Sequence, residues 1–190
     1  EWPIDQTMES LLRLRDAGKI RYIGVSNFSG LQTLEALEYG RIHSSQPCYN
    51  MLHRDPEEDE LPACLGNGIG VIAYSPLGKG LLTGKYQPGH RFQPGDERGR
   101  ADVTVFEGEV FQRVFEVTER LKRWAQDHGR DLVQLAIAWT LAHPAVTSSI
   151  VGAKSPEQVR HNVKAADWRL SERDLVEIDD IQGDLRLHGW

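Results

Sequence analysis

Apolar positions along the chain alternate between a helical and a strand spacing. Met8, Leu11, Leu12 and Leu14 fall near one helical face and predict a helix over residues 7–17. Pro3 and Asp5 suit its start, and Gly18 suits the position after its end. The run Ile20-Arg-Tyr-Ile-Gly-Val25 then reads as a short strand. Ser29 with Gln32 three residues on is a capping box, and Leu31, Leu34, Ala36 and Leu37 carry that helix to Gly40. A second strand is expected over residues 44–50, weakened by Pro47, which cannot donate a ladder hydrogen bond. Residues 56–65 read as a short helix. Its acidic start, Glu57, Glu58, Asp59 and Glu60, is expected to form a solvated first turn favoured by the helix dipole. Gly66-Asn-Gly68 breaks it, and Gly70-Val-Ile-Ala-Tyr74, rich in strand formers, is the third strand.

Residues 75–108 show no clear period and are rich in glycine, with Pro76, Pro88 and Pro94. Such a stretch is either a functional loop over a ligand or a mobile surface insertion. Val110, Phe111, Val114, Phe115, Val117, Leu121 and Trp124 then mark a helix ended by Gly129. Asp131 with Gln134 opens a second helix over residues 132–143, stopped by Pro144. Ser148-Ser-Ile-Val151 is the fourth strand. Ser155, Pro156 and Gln158 combine an N-cap, a first-turn proline and a third-position glutamine, and Ser171 caps a last helix over residues 172–181 ended by Gly183. A helix followed by four strand-then-helix units implies an α/β fold with a parallel sheet and right-handed crossovers. Four such strands make half of a (β/α)8 barrel or a small open doubly wound sheet.

Composition narrows the function. With 190 residues, a net charge of −6 and a pI near 5.6, the chain is a poor candidate for a nucleic-acid groove. Cys48 and Cys64 are the only cysteines, which argues against a disulfide scaffold and for a reducing compartment such as the cytoplasm. No apolar run reaches the ~18 residues of a membrane span, and no signal-peptide pattern opens the chain. The sequence starts at Glu1 rather than Met, as expected after processing or for part of a longer protein.

Metal and nucleotide signatures of several kinds are missing: there is no C-x-x-C, no H-E-x-x-H and no P-loop. Gly66-Asn-Gly-Ile-Gly70 has the glycines of a dinucleotide fingerprint but precedes a strand instead of following one. Gly24-Val-Ser-Asn-Phe28 lies between a strand and a helix like a nucleophile elbow, with Phe28 where the second glycine belongs. It reads either as a polar turn capped by Ser29 or as Ser26 and Asn27 offering hydrogen bonds at a strand's C-terminal end, where barrels bind ligands. Gln46 and Tyr49, Tyr74 and Ser75, and Gly152-Ala-Lys-Ser155 occupy the ends of the other three strands. Asn27 and Gln46 can pair with a carboxamide, Tyr74 offers a stacking face, and Lys154 beside a capped helix start favours a phosphate. His161, on that last helix, could face the same ligand. Cys48 reads as a buried structural thiol.

These stretches resemble the aldo-keto reductase family. The resemblance rests on Gly18-Lys-Ile-Arg-Tyr-Ile-Gly-Val-Ser-Asn-Phe-Ser29, Gln46-Pro-Cys-Tyr-Asn50, Ala73-Tyr-Ser-Pro-Leu-Gly78, Leu82-Thr-Gly-Lys-Tyr86 and Val151-Gly-Ala-Lys-Ser-Pro-Glu-Gln158, in that order. It implies a (β/α)8 TIM-barrel family, with this chain covering the last four β/α units as one domain over residues 1–190, incomplete at its N-terminus. It implies an NADP(H) cofactor and reduction of an aldehyde or ketone. Ser26, Asn27 and Gln46 would bind the carboxamide and Tyr74 would stack on the nicotinamide. Ser75, Pro76, Leu77 and Gly78 would line the pyrophosphate, and Lys85 would reach it from a covering loop over residues 76–108. Gly152, Lys154 and Ser155 would hold the 2′-phosphate, with Gln158 and Asn162 at the adenosine end. His161 stands where many members have Glu. The family's catalytic Asp, Tyr, Lys and His match nothing in this chain, so the isolated chain is expected to reduce no carbonyl. Its open strand edges invite association, including a homodimer that closes a barrel. A non-catalytic nicotinamide-nucleotide-binding or regulatory module is the alternative expectation.

Overall fold

The computed structural model describes residues 2–99 and 104–188. Glu1 and residues 100–103 of the long loop fall outside the described residues. The elements are α1 (Ile4–Asp16), β1 (Gly24–Ser26), α2 (Gly30–Tyr39), β2 (Ser44–Gln46), α3 (Glu60–Gly66), β3 (Gly70–Tyr74), α4 (Gly108–Asp127), α5 (Leu132–Ala142), β4 (Val146–Ile150), α6 (Pro156–Val163) and α7 (Glu172–Gln182). The four strands are all parallel and lie in the order β1-β2-β3-β4. A doubly wound sheet reverses its order near the middle, and this one does not. Consecutive order is that of half a β/α barrel.

Local sequence accounts for most boundaries. The Ser29–Gln32 and Ser171–Asp174 capping boxes form, and Asp131 and Ser155 accept the third-position N–H groups of α5 and α6. α1 begins at Ile4, three residues before its apolar period, because Pro3 sits at the N-cap with its φ already fixed. β2 stops at Gln46, since Pro47 has no N–H to donate; a single bridge between Cys48 and Tyr74 resumes the ladder. β4 starts at Val146, two residues earlier than its sequence suggests, through a register shift opposite Val71 and Ile72.

The acidic run at residues 57–60 does not form the solvated turn that its composition predicts. A short 3₁₀ turn (Asp55–Glu57) precedes α3, and three of the four carboxylates take partners from elsewhere in the fold. Tyr49 donates its hydroxyl proton to Glu57 at 2.6 Å, and Arg54 donates to the same carboxylate. Asp59 accepts the Gly30 N–H at 2.8 Å. Glu60 is only 5% exposed and accepts the Ser45 hydroxyl at 2.7 Å.

The core lies on one side of the sheet. Ser45, Val71 and Ala73 face the helices and are buried, with Leu61, Cys64, Leu135 and Ala136 packed over them. α4 and α7 run antiparallel outside this layer, tied by Trp124 Nε1 to Glu177 at 3.0 Å and by Arg113 to Asp184 at 2.7 Å. The alternate strand residues, which include Gly24, Ser26, Ser148 and Ile150, face away from the helices and stay open.

Candidate functional site

The C-terminal ends of β1, β2 and β3 converge. Ser26 and Gln46 are register partners, and the Ser26 hydroxyl donates to the Gln46 carbonyl at 2.8 Å. The Asn27 N–H reaches the same carbonyl at 3.4 Å, and the Tyr74 hydroxyl donates to Asn27 Oδ1 at 3.1 Å. Asn27 and Ser75, the residues that follow β1 and β3, have φ of 56° and 55°. A non-glycine residue in the left-handed region costs about 1–3 kcal/mol and persists where its surroundings hold it. Asn50 does this for Ser75. It is fully buried, donates its amide to the Ser75 carbonyl at 3.0 Å, and accepts the Leu52 and His53 N–H groups on its own oxygen.

The chain then turns through Ser75, Pro76, Leu77 and Gly78, where the Gly78 N–H closes on the Ser75 carbonyl at 3.0 Å. Burial raises the pKa of the half-buried Tyr74 hydroxyl and the nearby Cys48 adds to the shift, so the phenol stays neutral and donates. Burial also pushes the Cys48 and Cys64 thiols up to about 11, which leaves both as thiols near neutral pH. A cleft of about 380 Å³ opens beside this cluster against Asn27, Phe28, Cys48, His53, Asp59 and Tyr74.

The second cluster lies one strand over. Ile150, the last residue of β4, is the register partner of Tyr74, so the turn into α6 sits at the same end of the sheet. Ser155 caps α6 by accepting the Gln158 N–H at 3.3 Å. Gln158 folds its amide back to accept the Lys154 N–H at 2.6 Å, so its oxygen is engaged in the turn. Gly152 and Lys154 are exposed, and a Cβ placed on Gly152 would meet nothing within 4 Å. Asn162 is half-buried two turns along the helix. His161 turns elsewhere: its Nε2 lies 2.7 Å from Asp131 Oδ2, and this ion-pair geometry ties α6 to the cap of α5.

The long loop is organised around its own aromatic cluster. Tyr86 packs against Phe92 and Phe106 at ring distances of 5.3 and 5.5 Å, and Lys85 Nζ lies 4.8 Å over the Tyr86 ring. Arg98 donates to Asp96 Oδ1 at 2.7 Å and to the Tyr86 hydroxyl. These bonds from Arg98 hold the Asp96 carboxyl down to about 2, and the Lys154 charge acts in the same direction. Motif reading passes over Asp96 and Arg98 on the long loop, and it includes Asn50 in the Gln46–Asn50 stretch without assigning it a role. The Asp-x-Arg spacing was the available signal for the first two, and nothing local marks the buried contacts of Asn50.

The sequence-selected residues thus fall into two neighbouring groups, Ser26, Asn27, Gln46, Tyr74 and the Ser75–Gly78 turn, and then Gly152, Lys154, Ser155, Gln158 and Asn162, with Lys85 on the loop. Among the described residues, no cluster of three His, Cys, Asp or Glu side chains could hold a metal ion, and no helix is long and apolar enough to cross a membrane.

The sequence profile of the aldo/keto reductase family matches residues 1–182. The chain is 34% identical over 180 residues to aldo-keto reductase YhdN of Bacillus subtilis, covering 94% of this chain and 54% of that protein. It is 37% identical over 174 residues to the NADH-specific methylglyoxal reductase of Escherichia coli, covering 92% and 52%. Its structure matches that of the glycerol dehydrogenase AKR11B4 from Gluconobacter oxydans with a TM-score of 0.89 and 30% identity, over 97% of this chain and 55% of that one. The chain spans about half the length of the relatives it matches.

Proposed function

The chain belongs to the aldo/keto reductase family, and we propose that it is the cofactor-holding half of an NADP(H)-dependent carbonyl reductase, the fifth to eighth β/α units of the barrel. One observation carries this reading: the hydrogen-bonded Ser26, Asn27, Gln46 and Tyr74 group stands one strand away from the open start of α6. The donor set suits a nicotinamide dinucleotide. Gln46 and Asn27 offer amides to a carboxamide, and the Tyr74 ring is half exposed with its hydroxyl anchored, as a stacking face needs to be. Ser75 to Gly78 form the turn that would follow a pyrophosphate. Residues 76–108 are the covering loop, from which Lys85 adds positive charge, the Arg98 charge being met by Asp96. Lys154 and Ser155 take the 2′-phosphate, and Gln158 and Asn162 lie toward the adenosine.

When bound, the reduced nicotinamide supplies a hydride for a carbonyl carbon. This chain's own residues hold and orient it. The Tyr74 proton is committed to Asn27, and the Cys48 thiol is buried and far from releasing its proton. In this reading the acid that protonates the carbonyl oxygen comes from the other half of the barrel, which the open edges of β1 and β4 would meet. The substrate is a small aldehyde or ketone. One relative is named as NADH-specific, so the preference for the phosphorylated cofactor rests here on Lys154 and Ser155. The cysteines are free and buried, which fits a cytoplasmic setting. The second reading is a nicotinamide-nucleotide-binding or regulatory module without turnover, in keeping with the commitment of the Tyr74 proton to Asn27.

The test is NADPH oxidation by the purified chain with methylglyoxal or glyceraldehyde as probe. No turnover is expected from the chain alone. Turnover that disappears on Tyr74→Ala would place the whole chemistry in this chain and refute the division of labour.

A further inference from the structure

A second cavity, of about 360 Å³, opens between the end of α5, the middle of α7 and the Asp55–Glu57 turn. It shares no lining residue with the cleft beside Tyr74. Its volume falls within the ~300–1,000 Å³ of small-molecule sites. Ala142, Pro144 and Leu175 give it an apolar wall. Trp139 on α5 and His143 at the C-cap of that helix stand four residues apart, and both line the cavity.

These two side chains carry donors that the protein does not use. Trp139 is only 5% exposed, and its indole N–H donates to none of the described residues. A buried tryptophan usually finds a partner for that group. Arg54 lies 5.0 Å from the centre of the indole and the Tyr49 ring packs at 5.2 Å, so the ring is held and cannot turn its N–H to a partner elsewhere. His143 Nδ1 accepts the Ala145 N–H at 3.2 Å, which puts the proton of the neutral ring on Nε2. Burial lowers the His143 pKa and keeps the ring in that neutral form near pH 7. Its Nε2–H likewise meets none of the described residues.

The charged groups of the cavity are matched to one another. Glu57 accepts the Tyr49 hydroxyl and Arg54, and Asp179 accepts Arg54 at 2.6 Å. An anionic ligand would meet two carboxylates against one guanidinium. A cationic ligand would bring more donors to a place where donors are already in surplus. What the cavity lacks is an uncharged acceptor, and a carbonyl oxygen has two lone pairs to offer. We propose that this cavity is a second binding site, for a small uncharged molecule with a carbonyl oxygen on a compact apolar frame, the oxygen accepting from Trp139 Nε1–H and His143 Nε2–H. This inference stands apart from the nucleotide reading, because none of the residues it uses belongs to that site.

The test is proton–nitrogen correlation NMR of the whole chain titrated with cyclohexanone, read at the assigned Trp139 indole signal. The expected result is a saturable downfield shift with millimolar affinity, as suits so small a molecule. Ala142→Leu fills the cavity and leaves both donors in place, and it should weaken binding at least fivefold. Leu175→Phe makes the same test from α7 if Ala142→Leu does not give a normal melt. Cyclohexanecarboxylate and cyclohexylammonium, at equal concentration, should shift the signal at least fivefold less. A folded chain whose Trp139 signal ignores cyclohexanone would overturn the inference. An equal response to either charged probe, or binding that a folded cavity-filling variant leaves unchanged, would overturn it as well.

Discussion

The two faces of the sheet follow opposite rules. The helix-facing side is apolar and closed, with Ser45 paired to Glu60 and the Ser149 hydroxyl buried without a hydrogen-bond partner. The open side is uncharged on its strands and polar at its C-terminal end, where Ser26 and Asn27 bond the Gln46 backbone carbonyl and Tyr74 bonds the Asn27 side chain. In the proposed function stability resides on one face and recognition on the other, although the residues of both alternate along the same strands. A substitution on the closed face should act on folding, and one on the open face should act on binding.

The largest break in that comparison is expected at Leu61→Ala. Leu61, on α3, is fully buried, and the substitution should cost about 2–5 kcal/mol in urea unfolding. A cost below about 1 kcal/mol would mean that the layer between α3 and the sheet is not a packed core. Asn50→Ala comes next, because Asn50 joins the two faces. Losing its amide leaves the Leu52 N–H without its partner and takes one of two partners from the His53 N–H and from the Ser75 carbonyl, at about 1–3 kcal/mol. It should also loosen nucleotide binding, since Ser75 loses the contact that holds its left-handed backbone. Stability loss without any change in binding would separate Asn50 from the site.

Tyr74→Ala sharpens the contrast from the open side. It removes a half-exposed ring, so the unfolding midpoint should move little, while NADPH affinity falls about three- to tenfold with the lost stacking. The reverse outcome, a large loss of stability with binding intact, would make Tyr74 a core residue.

Glu60 gives the smallest effect and one with a definite sign. Burial raises its pKa in the folded chain above the ~4.3 of an unfolded glutamate. The folded state thus binds its proton more tightly, and the Glu60 contribution is intact below about pH 4 and lost as pH rises through the raised value. Glu60→Gln should therefore gain stability over the parent at pH 7, and the gap should close near pH 4. Equal urea midpoints for both proteins at pH 7 would show that the carboxylate pays no burial cost.

Much of the fold is legible in the sequence because its signals are local. The caps at Ser29, Asp131, Ser155 and Ser171 all form, and the strand-helix alternation places every strand within a few residues. Pro47 correctly foretells the short β2. The acidic run at residues 57–60 misleads because its partners, Ser45, Tyr49 and Gly30, lie on other elements and cannot be seen from the run itself. His161 misleads for the same reason, its partner being Asp131 at the start of α5. The loop over residues 76–108 has no period because it folds around Tyr86, Phe92 and Phe106, which are irregularly spaced. The strand-end residues could be chosen by type and position, but their mutual contacts, and the role of Asn50 behind them, depend on register.

Fluorescence titration of the purified chain with NADPH and with NADH, repeated on Lys154→Ala, tests the cofactor seat most directly. Saturable NADPH binding, tighter than NADH and weakened about threefold or more by Lys154→Ala while NADH binding is unchanged, is the predicted result. No binding by a folded chain, or NADPH binding indifferent to Lys154, would contradict a phosphate-reading nucleotide site at the end of β4.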